Sequence, residues 1–336
     1  MQVRGWDFLR ANKRPLIFLF LLTKFMFILF CVLSLKTLDS INRFDWDATR
    51  RIDSEPSALN RTPNHPLMLI YNRIPRSGGT TLKSLLTELG HIRGFIHRSS
   101  KELDYRQLTY EEEKMFVHDL MSEKKLFFFP FSFDRTIYYI NFTRFRVYRP
   151  AYINFLRDPA ARAASLFYSQ QMSNQLLADP DSRVMLKDSV QDVFGECVLH
   201  GLPECKFQDG QSYETAVAYF CGSDPECLIL NSRAALQRAK RVLETEYSVV
   251  GILELMKESL KVMEAYVPKY LTGILALYKH QDVTEKVKKS LPHPEPSLRA
   301  LKVLKRQFRS DYELYEFALQ RLMLQLKSVQ GNSTLK

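Results

Sequence analysis

Residues 76–81 read Arg-Ser-Gly-Gly-Thr-Thr, between a short apolar run and an amphipathic stretch. That order places a glycine pair at the start of a helix. The free N–H groups there, with the positive end of the helix dipole, attract anions. Gly78 and Gly79 let the backbone approach a phosphate closely. Ser77, Thr80 and Thr81 add hydroxyl donors, and Arg76 adds a fixed positive charge. The chemistry on offer is binding of a phosphate- or sulfate-bearing ligand. A nucleotide-kinase loop needs Gly-x-x-x-x-Gly-Lys-Ser/Thr, with lysine after the last glycine, whereas here the cation comes before the glycines. The same residues also fit an ordinary strand-to-helix turn capped by serine and threonine.

The elements that must hold this loop can be read from periodicity. Residues 67–71, LMLIY, are an apolar run of strand length. In the stretch 80–89, Leu82, Leu85, Leu86 and Leu89 recur at helical spacing. A second strand–turn–helix unit runs from Tyr152–Leu156 through Arg157-Asp158-Pro159 into residues 160–172, with Pro159 suited to a first helical turn. Residues 247–252 are a third apolar run, leading into a helix at 253–266. The runs 126–131 and 137–142 read as strands, and the charged residues 297–336 as helix. Strands alternating with helices predict an α/β domain around a mainly parallel sheet.

The chain has 336 residues, 46% of them hydrophobic, and a net charge of +11. That length supports one large α/β domain. A basic surface suits a polyanion such as nucleic acid, anionic lipid or sulfated glycan, and the compartment narrows the choice. Residues 15–35 are an apolar run long enough to cross a bilayer, interrupted by Lys24 and preceded by Arg4, Arg10, Lys13 and Arg14. Positive charge on that side predicts a cytoplasmic N-terminus and a luminal bulk. The expected organisation is a cytoplasmic tail 1–14, a transmembrane signal-anchor 15–35, a stem 36–64 and a luminal domain 65–330. A cleaved signal peptide is the alternative, but the apolar run is long for one and no small-residue cleavage site follows it.

Cys31 lies in the apolar run. Cys197, Cys205, Cys221 and Cys227 form an even, local set, which in a secretory context reads as two disulfides. Sequence-local pairing is expected, Cys197 with Cys205 and Cys221 with Cys227. The alternative of four thiolates on zinc meets wide spacings and no His-x-His pattern, so no metal is expected. Glycosylation sequons occur at Asn60, Asn141 and Asn332.

The order strand, Pro-Arg-Ser-Gly-Gly-Thr-Thr, helix resembles the 5′-phosphosulfate loop of PAPS-dependent sulfotransferases. Downstream, INFLRDPAARAASLFY at 153–168 resembles the 3′-phosphate motif of their glycan-directed branch. FGECVLHGLPEC, YFCGSDPEC, VVGILELM and DYELYEFAL extend the likeness over about 65–330. The chain resembles the uronosyl 2-O-sulfotransferases of heparan sulfate and related glycans, including their Pipe-like members. The resemblance implies the PAPS-dependent sulfotransferase fold, P-loop-like, with a central parallel sheet flanked by helices. It implies transfer of a sulfuryl group from PAPS to the 2-hydroxyl of a uronic acid in a glycosaminoglycan. It further implies a Golgi-membrane enzyme of single-pass type II topology, usually a homotrimer, with neither metal nor nucleic acid as a partner. The family pairing of the four cysteines agrees with the local one. Arg157 and Ser165 match the positions that hold the 3′-phosphate. Tyr278, Lys288 and Lys289 fall in a segment that the family closes over the adenine and 3′-phosphate. His97 resembles a substrate-contacting histidine, and Arg73 is a candidate for a uronate carboxylate or sulfate.

Two departures bear on catalysis. Arg76 stands where the family commonly has lysine at the leaving oxygen; it keeps the charge but has a planar fork. The family's His-Gly-His segment is absent, and Asp134 is the candidate base in its place, against a reading as a solvated turn residue paired with Arg135. Residues 169–190 hold only Arg183 and Lys187 as cations, fewer than the family's acceptor segment, so a different or less sulfated acceptor also fits. The alternative function is a catalytically weak homologue that binds nucleotide or glycan without turnover.

Overall fold

Apolar runs too short for helices, alternating with leucine-rich amphipathic stretches, build a five-stranded parallel sheet with helices against it. The computed structural model describes residues 68–100, 106–122, 130–178, 192–280 and 294–331. The chain divides into two compact units, 1–59 and 60–336, and every described residue belongs to the second. The apolar run 15–35, Asn60, Lys288, Lys289 and Asn332 lie outside the described residues. Among the described residues no helix is long and apolar enough to cross a membrane.

In chain order the elements are β1 (Met68–Asn72), α1 (Gly79–Arg93), β2 (Ile96–Ser99), α2 (Tyr110–Ser122), β3 (Phe131–Arg135), β4 (Ala151–Leu156) and α3 (Pro159–Ala178). They continue with α4 (Val193–His200), α5 (Ala216–Cys221), α6 (Arg233–Glu246), β5 (Tyr247–Ile252) and α7 (Met256–Tyr266). The short α8 (Pro268–Leu271) and α9 (Ile274–His280) follow, then α10 (Leu298–Gln307) and α11 (Arg309–Gly331). The strand order is β2-β3-β1-β4-β5, and every pair is parallel. Strands β1, β3, β4 and β5 are buried along their whole length. That is why β1, β4 and β5 read as near-continuous apolar runs and not as alternating ones, whereas β3 also buries Ser132, Asp134 and Arg135. Helix α1 buries Leu82, Leu85, Leu86 and Leu89, the stripe its spacing demands.

One strand reading fails. Residues 137–141 pair with no strand, and Phe142–Phe145 is a single 3-10 turn. Only Phe131 of the run 126–131 enters a strand, β3, which continues to Arg135; residues 126–129 are outside the described set. The segment after β3 covers a face of the sheet. Tyr138 N–H donates to the Arg106 carbonyl and Tyr139 N–H to the Tyr219 carbonyl. The Tyr139 ring packs on Tyr152 and Tyr247. Apolar side chains are buried equally well by covering a sheet as by pairing within it, so local composition does not separate the two.

A buried amide pair fixes this segment from below. Asn72, which ends β1, donates to the carbonyls of Tyr219 and Ile137. It accepts at Oδ1 from Asn154 and from the Tyr247 hydroxyl. These groups satisfy one another, as buried polar groups must. The disulfides join Cys197 to Cys205 and Cys221 to Cys227.

Candidate active site

The loop between β1 and α1 carries two left-handed residues in three, Arg76 at φ 66° and Gly78 at φ 81°. The first is uncommon for a side-chain-bearing residue and stores strain of about 1 kcal/mol or more. Gly78 has a second reason to be glycine, because a Cβ there would come within 2.8 Å of Leu253 Cδ1. Gly79, Thr80 and Thr81 open α1, and their N–H groups have no intrahelical acceptor. Ser77 is buried, and its hydroxyl has no hydrogen-bond partner among the described residues.

Three arginines gather on this loop. Arg76 Nε donates to Ser165 Oγ at 2.7 Å. Arg157, at the end of β4, donates from Nη1 to the Arg76 carbonyl at 3.3 Å. Arg162, buried on α3, donates from Nε to the Pro75 carbonyl at 3.1 Å. Arg76 holds its proton less tightly than a free guanidinium, first through burial and second through the neighbouring charge of Arg157. Burial acts the same way on Arg157, opposed by Glu254 and Asp158. Cations pressed together in this way favour an anion among them. The structure thus brings Arg76, Ser77, Gly78, Gly79, Thr80, Thr81, Arg157 and Ser165 to one place. An orphaned hydroxyl, paired guanidiniums and a turn with no room for a Cβ suit the phosphates of a nucleotide.

Asp134 is no solvated turn residue. It sits on β3 with no exposed surface, and each carboxylate oxygen faces a basic side chain at ion-pair distance without hydrogen-bond alignment. Arg73 Nε lies 2.9 Å from Oδ1, and His97 Nε2 lies 3.1 Å from Oδ2. His97 is fixed in turn by Ser132 Oγ, 3.1 Å from Nδ1. Arg73 also donates from Nη2 to the Ser100 carbonyl at 3.0 Å. The pairing with Arg135 expected for a turn residue is replaced by this buried cluster. Sheet register explains it: Tyr71, Asp134 and Ser99 are neighbours across β1, β3 and β2, so their side chains share a face.

Sequence reading missed Tyr71, Ser132, Arg162 and Glu214. Glu214 is a hub: its carboxylate pairs with Arg106 and accepts from the Tyr219 hydroxyl, and its backbone carbonyl accepts from Arg162 Nη1. It ties the loop, through Arg162, to the chain that leads into α2. Arg162 stood inside the motif already singled out, at the position between Arg157 and Ser165; Glu214 carried no local signal. Tyr278 lies half-buried on α9, packed against the main core, and no contact joins it to the loop among the described residues. Asn141 is half-buried, and its Oδ1 accepts from Thr143 N and Oγ1. Among the described residues no cluster of three or more His, Cys, Asp or Glu is placed to hold a metal.

Residues 58–318 match the family described as "Sulfotransferase family". The chain belongs to that sulfotransferase family. It is similar to the uronyl 2-sulfotransferase homolog pip of Drosophila melanogaster, 31% identical over 76% of this chain and 52% of that protein. It is similar to the uronyl 2-sulfotransferase of Homo sapiens, at 29% over 77% of this chain and 63% of that protein. Heparan sulfate 2-O-sulfotransferase 1 of Gallus gallus is 27% identical over 76% of this chain and 70% of that protein. The chain therefore spans about half of the first relative's length and less than two thirds of the second's.

Proposed function

We propose that this sulfotransferase moves a sulfuryl group from PAPS to the 2-hydroxyl of a uronic acid in a glycosaminoglycan, heparan sulfate or chondroitin/dermatan sulfate. The observation that carries the reading is the meeting of Arg76, Arg157 and Ser165 beside the glycine loop. One end of the donor, the 5′-phosphosulfate, lies on the N–H groups and hydroxyls of 77–81. The 3′-phosphate lies on Arg157 and Ser165, with Tyr278, Lys288 and Lys289 assigned to the adenine side. The acceptor oxygen attacks sulfur, and the bond from sulfur to the 5′-phosphate oxygen breaks. Arg76 steadies the charge on that leaving oxygen. Arg73 and His97 are assigned to the acceptor side and Asp134 to the departing proton.

The remaining assignments rest on the family resemblance, the N-terminal sequence and the three sequons. They are a single-pass type II protein of the Golgi membrane anchored by 15–35, a luminal domain in a homotrimer, and glycans at Asn60, Asn141 and Asn332. The test is incubation of the full chain with labelled PAPS and desulfated glycosaminoglycans, followed by disaccharide analysis. Label on the uronic acid 2-position is the expected result. Binding of 3′,5′-ADP with no transfer to any glycan would overturn the enzyme reading.

A further inference from the structure

The proposed proton acceptor is covered. Asp134 has no exposed side-chain surface, and Arg73 Nε occupies its Oδ1 at 2.9 Å. His97 closes the other oxygen and is itself held by Ser132. The carboxylate has no exposed surface in this arrangement, so an acceptor hydroxyl reaches it only if a covering side chain moves. The two covers differ. His97 is 4% exposed, hydrogen-bonded at Nδ1 and 3.1 Å from Asp134 at Nε2, whereas the Arg73 side chain is 13% exposed and reaches the surface. Arg73 also lies on the loop side: a Cβ at Gly79 would stand 3.7 Å from Arg73 Cδ and 3.6 Å from the Tyr71 hydroxyl. Its aliphatic stem therefore passes beside the first residue of α1 and carries the guanidinium to Asp134. The Tyr71 hydroxyl stands beside both groups, buried, with no hydrogen-bond partner among the described residues.

We infer that an acidic acceptor unmasks its own base: a carboxylate on the acceptor draws the Arg73 guanidinium off Asp134 Oδ1. The freed oxygen then takes the proton of the acceptor hydroxyl. Arginine suits this exchange because its planar fork binds carboxylates in two-point fashion. The Ser100 carbonyl offers a pivot through Nη2. The exchange gives Arg73 a new ion pair and leaves the buried Asp134 carboxylate without its cation, which favours its taking a proton. A neutral sugar offers nothing for Arg73 to exchange into, and the cover stays in place. Arg73 thereby selects acidic acceptors at the proton-transfer step as well as at binding. In the step itself the acceptor O–H proton passes to Asp134, the oxygen–sulfur bond forms, and the sulfur–phosphate oxygen bond breaks. Its electron pair stays on the departing nucleotide beside Arg76. This inference rests on the sulfotransferase reading above.

The test compares the full chain with its Arg73→Gln and Arg73→Lys variants on two acceptors, a desulfated glucuronate-containing polymer and the same polymer with its carboxyls reduced to alcohols. Glutamine keeps an N–H donor for Asp134 and loses the charge; lysine keeps the charge. Wild type is expected to favour the acidic polymer by about a hundredfold in kcat/KM. Arg73→Gln is expected to bring that ratio to within about threefold, and Arg73→Lys to restore at least about tenfold preference. Unchanged binding of 3′,5′-ADP to each variant shows that it is folded. An Arg73→Gln protein that slows equally on both polymers, or keeps the wild-type ratio, overturns the gate. So does wild-type transfer to both polymers at one rate. Failure of wild type to sulfate either polymer overturns instead the sulfotransferase reading, and the gate falls with it.

Discussion

Arg76 and Ser165 are joined by a 2.7 Å hydrogen bond from the arginine Nε to the serine hydroxyl. One residue ends the turn after β1, and the other lies two turns into the helix after β4. The contact joins the neighbouring units β1–α1 and β4–α3 at the glycine loop.

Arg76 is expected to act on the chemical step. Replacing it with alanine should lower kcat about 10²–10³-fold, the usual loss of one donor to developing charge. Arg76→Lys keeps the charge but loses the bond to Ser165, and should retain activity to within about tenfold. Single-turnover transfer of labelled sulfate measures both. An alanine variant with normal kcat would remove Arg76 from the leaving-oxygen role.

Arg157 and Ser165 are expected to read the 3′-phosphate. Ser165→Ala should weaken 3′,5′-ADP binding about tenfold and Arg157→Ala more, as loss of charge-assisted hydrogen bonds predicts. Binding of adenosine 5′-monophosphate, which lacks that phosphate, should change little. Titration calorimetry with both nucleotides gives the comparison. Equal losses for the two would mean that these side chains hold some other part of the ligand.

Gly78→Ala meets two obstacles, a φ of 81° and the Leu253 side chain 2.8 Å from the new Cβ. The strain costs about 1–2 kcal/mol, and Leu253 can move aside. Tm should fall by a few degrees, with 3′,5′-ADP affinity falling alongside because the turn shifts. Thermal unfolding with and without nucleotide separates the two effects.

Asp311 gives a pH signature. It is buried, its Oδ1 accepts from Ala216 N–H at 2.6 Å, and burial raises its pKa from 3.8 to about 6 despite Arg162 and the backbone bonds. Between those values the folded protein binds more protons at this site than the unfolded chain does. Its contribution to stability is therefore fully present below about pH 4 and is lost as pH rises through about 6. The loss is on the order of 3 kcal/mol. Asp311→Asn keeps an acceptor for Ala216 and should flatten that part of the Tm–pH curve. An unchanged slope would show that Asp311 titrates normally.

Much of the domain was legible in residue order. Leu82, Leu85, Leu86 and Leu89 specify α1, and the run ending at Tyr71 specifies β1, because each element buries its own local pattern. The cysteine pairing was legible for the same reason: Cys197 and Cys205 are close in sequence, and so are Cys221 and Cys227. The short strand Ile96–Ser99, half-buried at the sheet edge, carried too weak a pattern to be read. The run 137–142 was misread because apolar composition records burial and not the direction of the backbone hydrogen bonds.

By itself the sequence determined the strand–loop–helix units, the glycine turn with its preceding arginine, and the order of the two anion motifs. All of these are encoded by neighbours in the chain. Only the tertiary structure decided that Asp134 is enclosed, and by whom. Arg73 and His97 reach it because β3 lies between β1 and β2, and the register sets their ends level. Strand order arises from how whole elements pack, so no local spacing around Asp134 could reveal that its Oδ1 lies beside the Arg73 guanidinium.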